Sequence, residues 1–359
     1  MALIGAGGAV VAGIFAFNKW QERKHRKAEA PVADEPPTLQ EPVFGSSAEP
    51  VPARVEPIMD EPMPEPTMAP RTTEEASARR TSPQLLPEVD ERADWVLRIE
   101  SIEALMAGQF IQQAEPQLAG VDKPLRWYGF SESANRWEAV DRNAGLSCHW
   151  LCVVVQLVDR RGPISPGMLS QLNNGIQAVS DGFMAIPNLP ASGEALARAQ
   201  ALDEFCAGVD IQIAVNVLAQ EHHPFSGTKL RGLAEAAGME LLGDGRFHAK
   251  DETGATLYML SNLENELFAP EEMRRLVTRG VTLTLDVPRV GNGVFVFERM
   301  MAFARQLAQS MQGAVVDDNR QPFGEKAIAL IRAQIGQFQG QMVEKGIPPG
   351  SPLARRLFS

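Results

Sequence analysis

Hydrophobic and polar positions divide the chain into three stretches of different period. An unbroken apolar run, MALIGAGGAVVAGIFAF, fills Met1 to Phe17 and stops at Asn18, Lys19 and Trp20. From Ala28 to Glu91 no apolar period is present. From about Asp94 onward, alternation of period two and stripes of period 3.6 mark a folded region of about 250 residues, enough for one large domain or two small ones.

The second half of that region has the clearer pattern. Asp210 to Leu218 (DIQIAVNVL) alternates, with Ile211, Ile213, Val215 and Val217 on one face and Gln212, Ala214 and Asn216 on the other, which predicts a half-buried strand. Gly227 to Ala237 places Leu230, Leu233, Ala234 and Ala237 on one helical stripe, with Gly238 as its stop. Strands are predicted near Gly245 to His248 and over Thr256 to Asn262, with PEEMRRLVTRG as a connector. Val281 to Val287 alternates again, turning Thr282, Thr284 and Asp286 away from the apolar face. A striped helix over Phe295 to Met311, a short strand over Ala314 to Asp317 and a helix over Ala327 to Phe338 complete the series. Its methionines read as core filler. The order predicts an α+β layer: an antiparallel sheet with helices on one face and the other face left to receive a peptide.

The first half predicts strands at Trp95 to Ile102, Leu125 to Phe130, Arg136 to Val140 (these last two a central pair) and Trp150 to Val158, then a helix over Met168 to Val179. Its end parallels the later series: strand, helix, then DGFMAIPN against QGAVVDDN. This parallel suggests two tandem modules from a diverged duplication, joined by a helix over Gly193 to Cys206. Trp95, Trp127, Trp137 and Trp150 all lie in the first module. They read either as core, or as an aromatic face for a partner or a cover for the polar face of the second module.

Charge refines the N-terminal picture. Residues 1–27 hold five Lys/Arg against Glu22, and residues 28–91 hold fourteen Asp/Glu against four Arg, within a formal net charge of −11. An apolar run followed by Trp20 and a basic cluster reads as one membrane anchor, with the short N-terminus outside and the remainder in the cytoplasm. A cleaved signal peptide would carry its basic residues ahead of the run. The acidic stretch holds 13 of the 26 prolines and reads as a disordered tether averaging about 45 Å end to end. No basic face of the kind nucleic-acid binders carry is present.

Candidate chemistry is sparse. Cys148, Cys152 and Cys206 are an odd set without framework spacing and read as buried thiols. Cys148-His149-x-x-Cys152 lacks a second ligand pair for zinc. His222-His223 stands in a loop without a nucleophile motif, and Asp317-Asp318 would point apart on a strand. Neither catalysis nor a metal or cofactor is expected.

In order, GVDIQIAVNVLAQEHHPFSG, LLGDGRFHAKDETGATLYMLSNL and RGVTLTLDVPRVGNGVFVFERMMAFARQLAQSMQGAVVDDNRQP resemble the C-terminal domain of the ZipA family, bacterial division proteins that hold FtsZ at the membrane. The layout of anchor, basic flank and Pro-rich linker resembles that family as well. The resemblance implies a split β-α-β fold, non-enzymatic, whose exposed sheet face binds the short C-terminal tail of FtsZ in a shallow apolar groove. It places the groove at Gln212, Ala214, Gly245, Leu263, Asn265 and Thr284, with Arg320 at the rim. Leu263 and Arg320 keep the family's character, but Gly245 and Thr284 stand where it has larger apolar groups. At about 25 cal/mol per Å2, losing two large side chains would cost several kcal/mol of peptide burial. An adaptor of the same fold for a different division or envelope protein is therefore the alternative. The expected organisation is an anchor at 1–20, flank and linker at 21–91, a first α+β module at 92–207, the ZipA-like domain at 208–345 and a tail at 346–359. The expected location is the inner membrane at the division site, single-pass, with the N-terminus periplasmic and the domain cytoplasmic.

Overall fold

Two antiparallel sheets carry the chain, and in each the alternation of side chains decides which face the helices cover. The computed structural model describes residues 89–220, 223–264 and 266–359. The apolar run at 1–17 and the acidic stretch up to residue 88 lie outside them, as do His222 and Asn265. Among the described residues, no helix is long and apolar enough to cross a membrane.

In the first half β1 (Asp94–Met106) is followed by α1 (Ala107–Gln117), β2 (Leu125–Ser131), β3 (Arg136–Val140) and β4 (Ser147–Gln156). A two-residue hairpin, β5 (Val158–Asp159) and β6 (Gly162–Pro163), leads to α2 (Pro166–Gly182), β7 (Ala185–Asn188) and α3 (Ser192–Val209). The strand order is β3-β2-β4-β1-β7. β4 is therefore central and β3 an edge, whereas sequence placed β2 and β3 centrally. Helix α2 starts where Ser165 Oγ accepts the Met168 amide at 3.2 Å, with Pro166 in the first turn. Its core gathers Leu97, Ile99, Phe110, Leu151, Val153, Leu169 and Ile176, and α3 adds Ala195, Ala199 and Leu202.

In the second half β8 (Gln212–Ala219), β9 (Phe225–Ser226) and α4 (Gly227–Ala236) precede β10 (Met239–Leu241), β11 (Phe247–Lys250) and β12 (Thr256–Asn262). Then come β13 (Val277–Thr278), β14 (Gly280–Asp286), α5 (Gly293–Met311), β15 (Gly313–Val316), α6 (Glu325–Glu344) and α7 (Pro352–Leu357). The sheet order is β10-β11-β12-β14-β8-β15. The inward alternation predicted for Ile213, Val215, Val217, Val281, Leu283 and Leu285 holds, and α5 covers them with Phe297, Met300, Met301, Ala304 and Leu307. Asn292 caps α5 by accepting the Phe295 amide at 3.2 Å, so the helix begins two residues before the apolar stripe does. α5 and α6 approach closely at Gly293, where a Cβ would sit 2.7 Å from Ile335.

Both halves share one skeleton: the last strand pairs with the first, and the first with the strand before the second helix (β7-β1-β4 and β15-β8-β14). In each, a non-glycine residue at positive φ turns the helix into the last strand: Met184 at 51° and Gln312 at 56°. The strands inserted between differ, β2 and β3 being a hairpin flanked by β4 while β10 to β12 form a meander.

The chain end joins the two halves. Met342, Ile347, Ala354, Leu357 and Phe358 all belong to the first core, although they follow the second in sequence. Arg356 grips the buried Asp94 carboxylate with contacts of 2.8 and 3.1 Å, and the Arg356 carbonyl accepts from Gln156 Nε2 at 3.0 Å. Arg160, on the β5–β6 turn, reaches Asp210 and Asp286 at 2.7 Å each. Burial pushes the Asp286 carboxyl up in spite of Arg160, and its two carboxylate partners hold Arg160 protonated against its own desolvation.

Lys123 and Asp159 form an ion pair at 2.7 Å with side chains only 2% and 3% exposed, and Lys123 also donates to the Gly162 carbonyl. Burial alone would raise the Asp159 carboxyl, but hydrogen bonds from Lys123 and Arg161 outweigh it and hold it below the usual range. Its contribution is thus present above the ordinary aspartate pKa and lost as pH falls through the lower folded value. Asp159→Ala should strand a buried ammonium and cost about 3–5 kcal/mol in denaturant titration. Asp159→Asn should flatten the acid limb of the stability–pH curve below about pH 4. Phe358→Ala should lower stability by about 3–5 kcal/mol, with the loss read in first-half probes such as Trp95 fluorescence.

Candidate functional site

The face of the second sheet away from its helices is a candidate binding surface, and register builds it in rows. His248 pairs with Met259, Met259 with Thr284 and Thr284 with Ala214, so one row crosses β11, β12, β14 and β8. The next row runs Ser261, Thr282, Asn216 and Val316. A third places Gly280, Leu218 and Ala314 side by side, and Leu263 lies over it: a Cβ on Gly280 would meet Leu263 Cδ2 at 2.9 Å and Leu218 Cδ2 at 3.0 Å.

Polar groups in the middle of the face are tied to one another. Thr282 Oγ1 donates to Asn216 Oδ1 at 2.7 Å, and Asn216 Nδ2 donates to Asp318 Oδ1 at 3.1 Å. His248 bridges Thr256 Oγ1 at 3.0 Å and the Asp244 carboxylate at 3.0 Å. With its polar atoms matched internally, the centre of the face can meet a ligand without leaving orphaned donors.

Of the residues named from sequence, Ala214 and Thr284 are direct cross-strand partners. Gln212 joins them one row along, its amide 3.5 Å from Asp286. Leu263 is on the same side at the opposite end, 40% exposed. Gly245 is not on the sheet. It occupies a turn at φ 70°, hydrogen-bonded to Leu242, and β11 begins only at Phe247. A Cβ there would fall 2.5 Å from Leu267 Cβ. The apolar group at this corner is therefore Leu267, 62% exposed. Arg320 is exposed in the turn after β15, at φ 60°, its amide donating to the Asp317 carbonyl. Asp317 and Asp318 do point apart: Asp317 Oδ1 caps the turn through the amides of Asn319 and Gln321, while Asp318 faces Asn216.

Met259, Leu218, Asn216, Thr282 and Leu267 were not nominated from sequence. The first four share the parity of residues that were, so alternation alone could have added them. Leu267 sits in a loop with no period to expose it.

The thiols are separated. Cys148 joins the first core and Cys152 a cluster on the reverse of that sheet. Desolvation pushes Cys148 up to about 11 and Cys152 and Cys206 up to about 12, which leaves them protonated and unreactive at neutral pH. His149 Nδ1 is 2.7 Å from Glu132 Oε1. Among the described residues, no group of three His, Cys, Asp or Glu side chains could hold a metal. A concavity of about 400 Å3 between α3 and α6, lined by Glu204, Phe205, Gln341 and Lys345 among others, lies apart from the open face.

Residues 211–334 match the family described as ZipA, C-terminal FtsZ-binding domain. The chain is 30% identical over 132 residues to the cell division protein ZipA of Marinobacter nauticus, an alignment covering 35% of this chain and 39% of that protein. It is 28% identical over 131 residues to ZipA of Shewanella loihica, covering 34% and 39%. Against ZipA of Colwellia psychrerythraea it is 36% identical over 78 residues, 21% and 20% of the two chains. The chain thus spans about two fifths of the length of the first curated relatives it matches. The match runs from β8 into α6 and spans every row of the open face, so this part of the chain is similar to the ZipA C-terminal domain.

Proposed function

We propose that the chain is a membrane-anchored cell division protein that binds the C-terminal tail of FtsZ and tethers the division ring to the inner membrane, without catalysis. The observation that carries this reading is the coincidence of a ZipA-type FtsZ-binding match with the sheet face opposite the one that the helices cover. Met259, Ala214, Leu218 and Leu263 supply an apolar floor interrupted by Thr284, Leu267 restores area beside Gly245, and Gln212 borders it, with Arg320 at the rim. An extended peptide buries alternate apolar side chains on such a floor. The internally matched Asn216–Thr282–Asp318 group lowers the desolvation cost of covering the centre.

The anchor reading rests on the apolar run Met1 to Phe17, its aromatic and basic flank and the acidic tether behind it. In this reading residues 1–20 cross the bilayer, 21–91 set the reach, and the two halves arose by a duplication whose support is the shared β7-β1-β4 and β15-β8-β14 skeleton. The adaptor alternative, a different division or envelope protein on the same face, is motivated by the polar central row.

Co-sedimentation of the chain with FtsZ polymers should depend on the FtsZ tail, and Met259→Asp should weaken it by at least about tenfold, about 1.4 kcal/mol, with the thermal midpoint unchanged. Tail-independent or absent binding, with capture of another division or envelope protein lost in Met259→Asp, would transfer the site to the adaptor reading. Deleting residues 1–20 should move the protein from the membrane to the soluble fraction on cell fractionation; retention would contradict the anchor.

A further inference from the structure

One end of the second sheet's open face is finished by a side chain from the first half. The row beyond Thr284 and Ala214 pairs Asp286 with Gln212, and the alternation that turns Thr282 and Thr284 to the open side turns Asp286 there too. Gln212 is exposed, and its amide lies 3.5 Å from Asp286 Oδ2. Both oxygens of that carboxylate accept from Arg160, Oδ1 from Nη2 at 2.7 Å and Oδ2 from Nη1 at 2.8 Å. The same guanidinium turns its other edge to Asp210, with Nη2 and Nε donating at 2.7 and 3.0 Å. With Arg160 laid on it, the Asp286 side chain is only 12% exposed.

The hairpin that carries Arg160 is itself pinned. Arg160 stands in the turn between β5 and β6, where the buried Asp159 accepts from Lys123 at 2.7 Å and from the Arg161 amide at 2.9 Å. Lys123 also fastens the far side of the turn by donating to the Gly162 carbonyl at 2.7 Å. The Phe358 ring backs the guanidinium, its centroid 6.0 Å from the central carbon. Arg289, just after β14, acts on Asp286 through its charge. At the opposite end of the face Leu263, Leu218 and Ala314 gather round Gly280 and carry no charge. The face therefore has an apolar end and a charged end, and the charge at the second is set by a residue of the first half.

We propose that Arg160 is a specificity-determining residue of the open face, setting through its hold on Asp210 and Asp286 how strongly the Gln212 end discriminates between acidic and basic residues of a bound peptide. The proposal rests on the reading that this face takes an FtsZ tail. Removing the guanidinium leaves one more net negative charge beside Gln212, which favours basic peptide residues and disfavours acidic ones. The first half thereby takes part in ligand selection without lending its own sheet to the ligand.

Titration of the full chain in detergent with FtsZ tail peptides carrying a lysine or a glutamate extension, at one end of the peptide and then at the other, tests this. At about 0.01 M salt, where charge acts over about 30 Å, Arg160→Gln should shift the ratio of the two dissociation constants toward the lysine peptide by at least about fivefold. The shift should appear for one peptide end only and vanish at about 1 M salt. Arg160→Gln with Asp286→Asn restores the charge but not the clamp, and should return the original ratio, which loss of a merely structural contact would not allow. Asp286→Asn alone should move the ratio the opposite way, and it decides the matter if Arg160→Gln lowers the thermal midpoint. Ratios unmoved in both single variants, or moved equally for both peptide ends, would overturn the role of Arg160 and leave the FtsZ reading standing. Absence of binding between the unsubstituted chain and every peptide would overturn that reading and this proposal with it.

Discussion

The packing of the chain's last residues into its first core is the constraint on which the rest depends. Phe358, Leu357, Ala354 and Ile347 fill a core whose other walls are laid down some two hundred residues earlier, and Arg356 neutralises the Asp94 carboxylate at the start of β1. A buried carboxylate is tolerated only when paired, and Asp94 has one partner within its own sheet, Arg126 at 2.8 Å, and a second, Arg356, from the chain end. The helix α6 that carries the chain back also helps cover the second sheet through Ile328, Ile331 and Ile335. Arg160, held between Asp210 and Asp286, adds a polar clamp along the same boundary. The halves share a skeleton, yet neither is an independent bead on a string.

This closure leaves two outer sheet faces of opposite character. On the first, Tyr128, Phe130, Trp137 and Trp150 make an aromatic surface. On the second, Thr282, Asn216 and Asp318 lie between apolar ends at Met259 and Leu263. A face matched for an extended peptide needs area without orphaned polar groups, and the second supplies both. Two tryptophans serve each purpose in the first half: Trp95 and Trp127 pack with the core beneath the helices, and Trp137 packs with the outer cluster, its neighbour Trp150 reaching it through Phe130.

Most of the second half was legible because its strands bury one side. Thr256–Asn262 matched to the residue, and Val281 to Val287 shifted by one, since the alternation there is strict. Helix α1 was missed: AGQFIQQAEPQ carries a proline and few apolar residues, and it is stabilised by Phe110 packing on Trp127 and Phe183 rather than by periodicity. β10 was missed for its three-residue length. At the candidate site, positions within strands were legible, whereas Gly245 and Arg320 fell in turns whose positive φ has no hydrophobic period to reveal it. The C-terminal packing was illegible because PLARRLFS is too short to show a period, and its partners are distant in sequence.

The central proposal is that the ZipA-like half receives an FtsZ tail on its open sheet face while the first half does not. Methyl-resolved NMR titration of the chain with an FtsZ tail peptide tests it most directly. The account predicts shifts at Met259, Ala214, Leu218 and Leu263, with Ile186 and Val154 unmoved. Shifts confined to Ile186 and Val154, or spread over neither face, would contradict it.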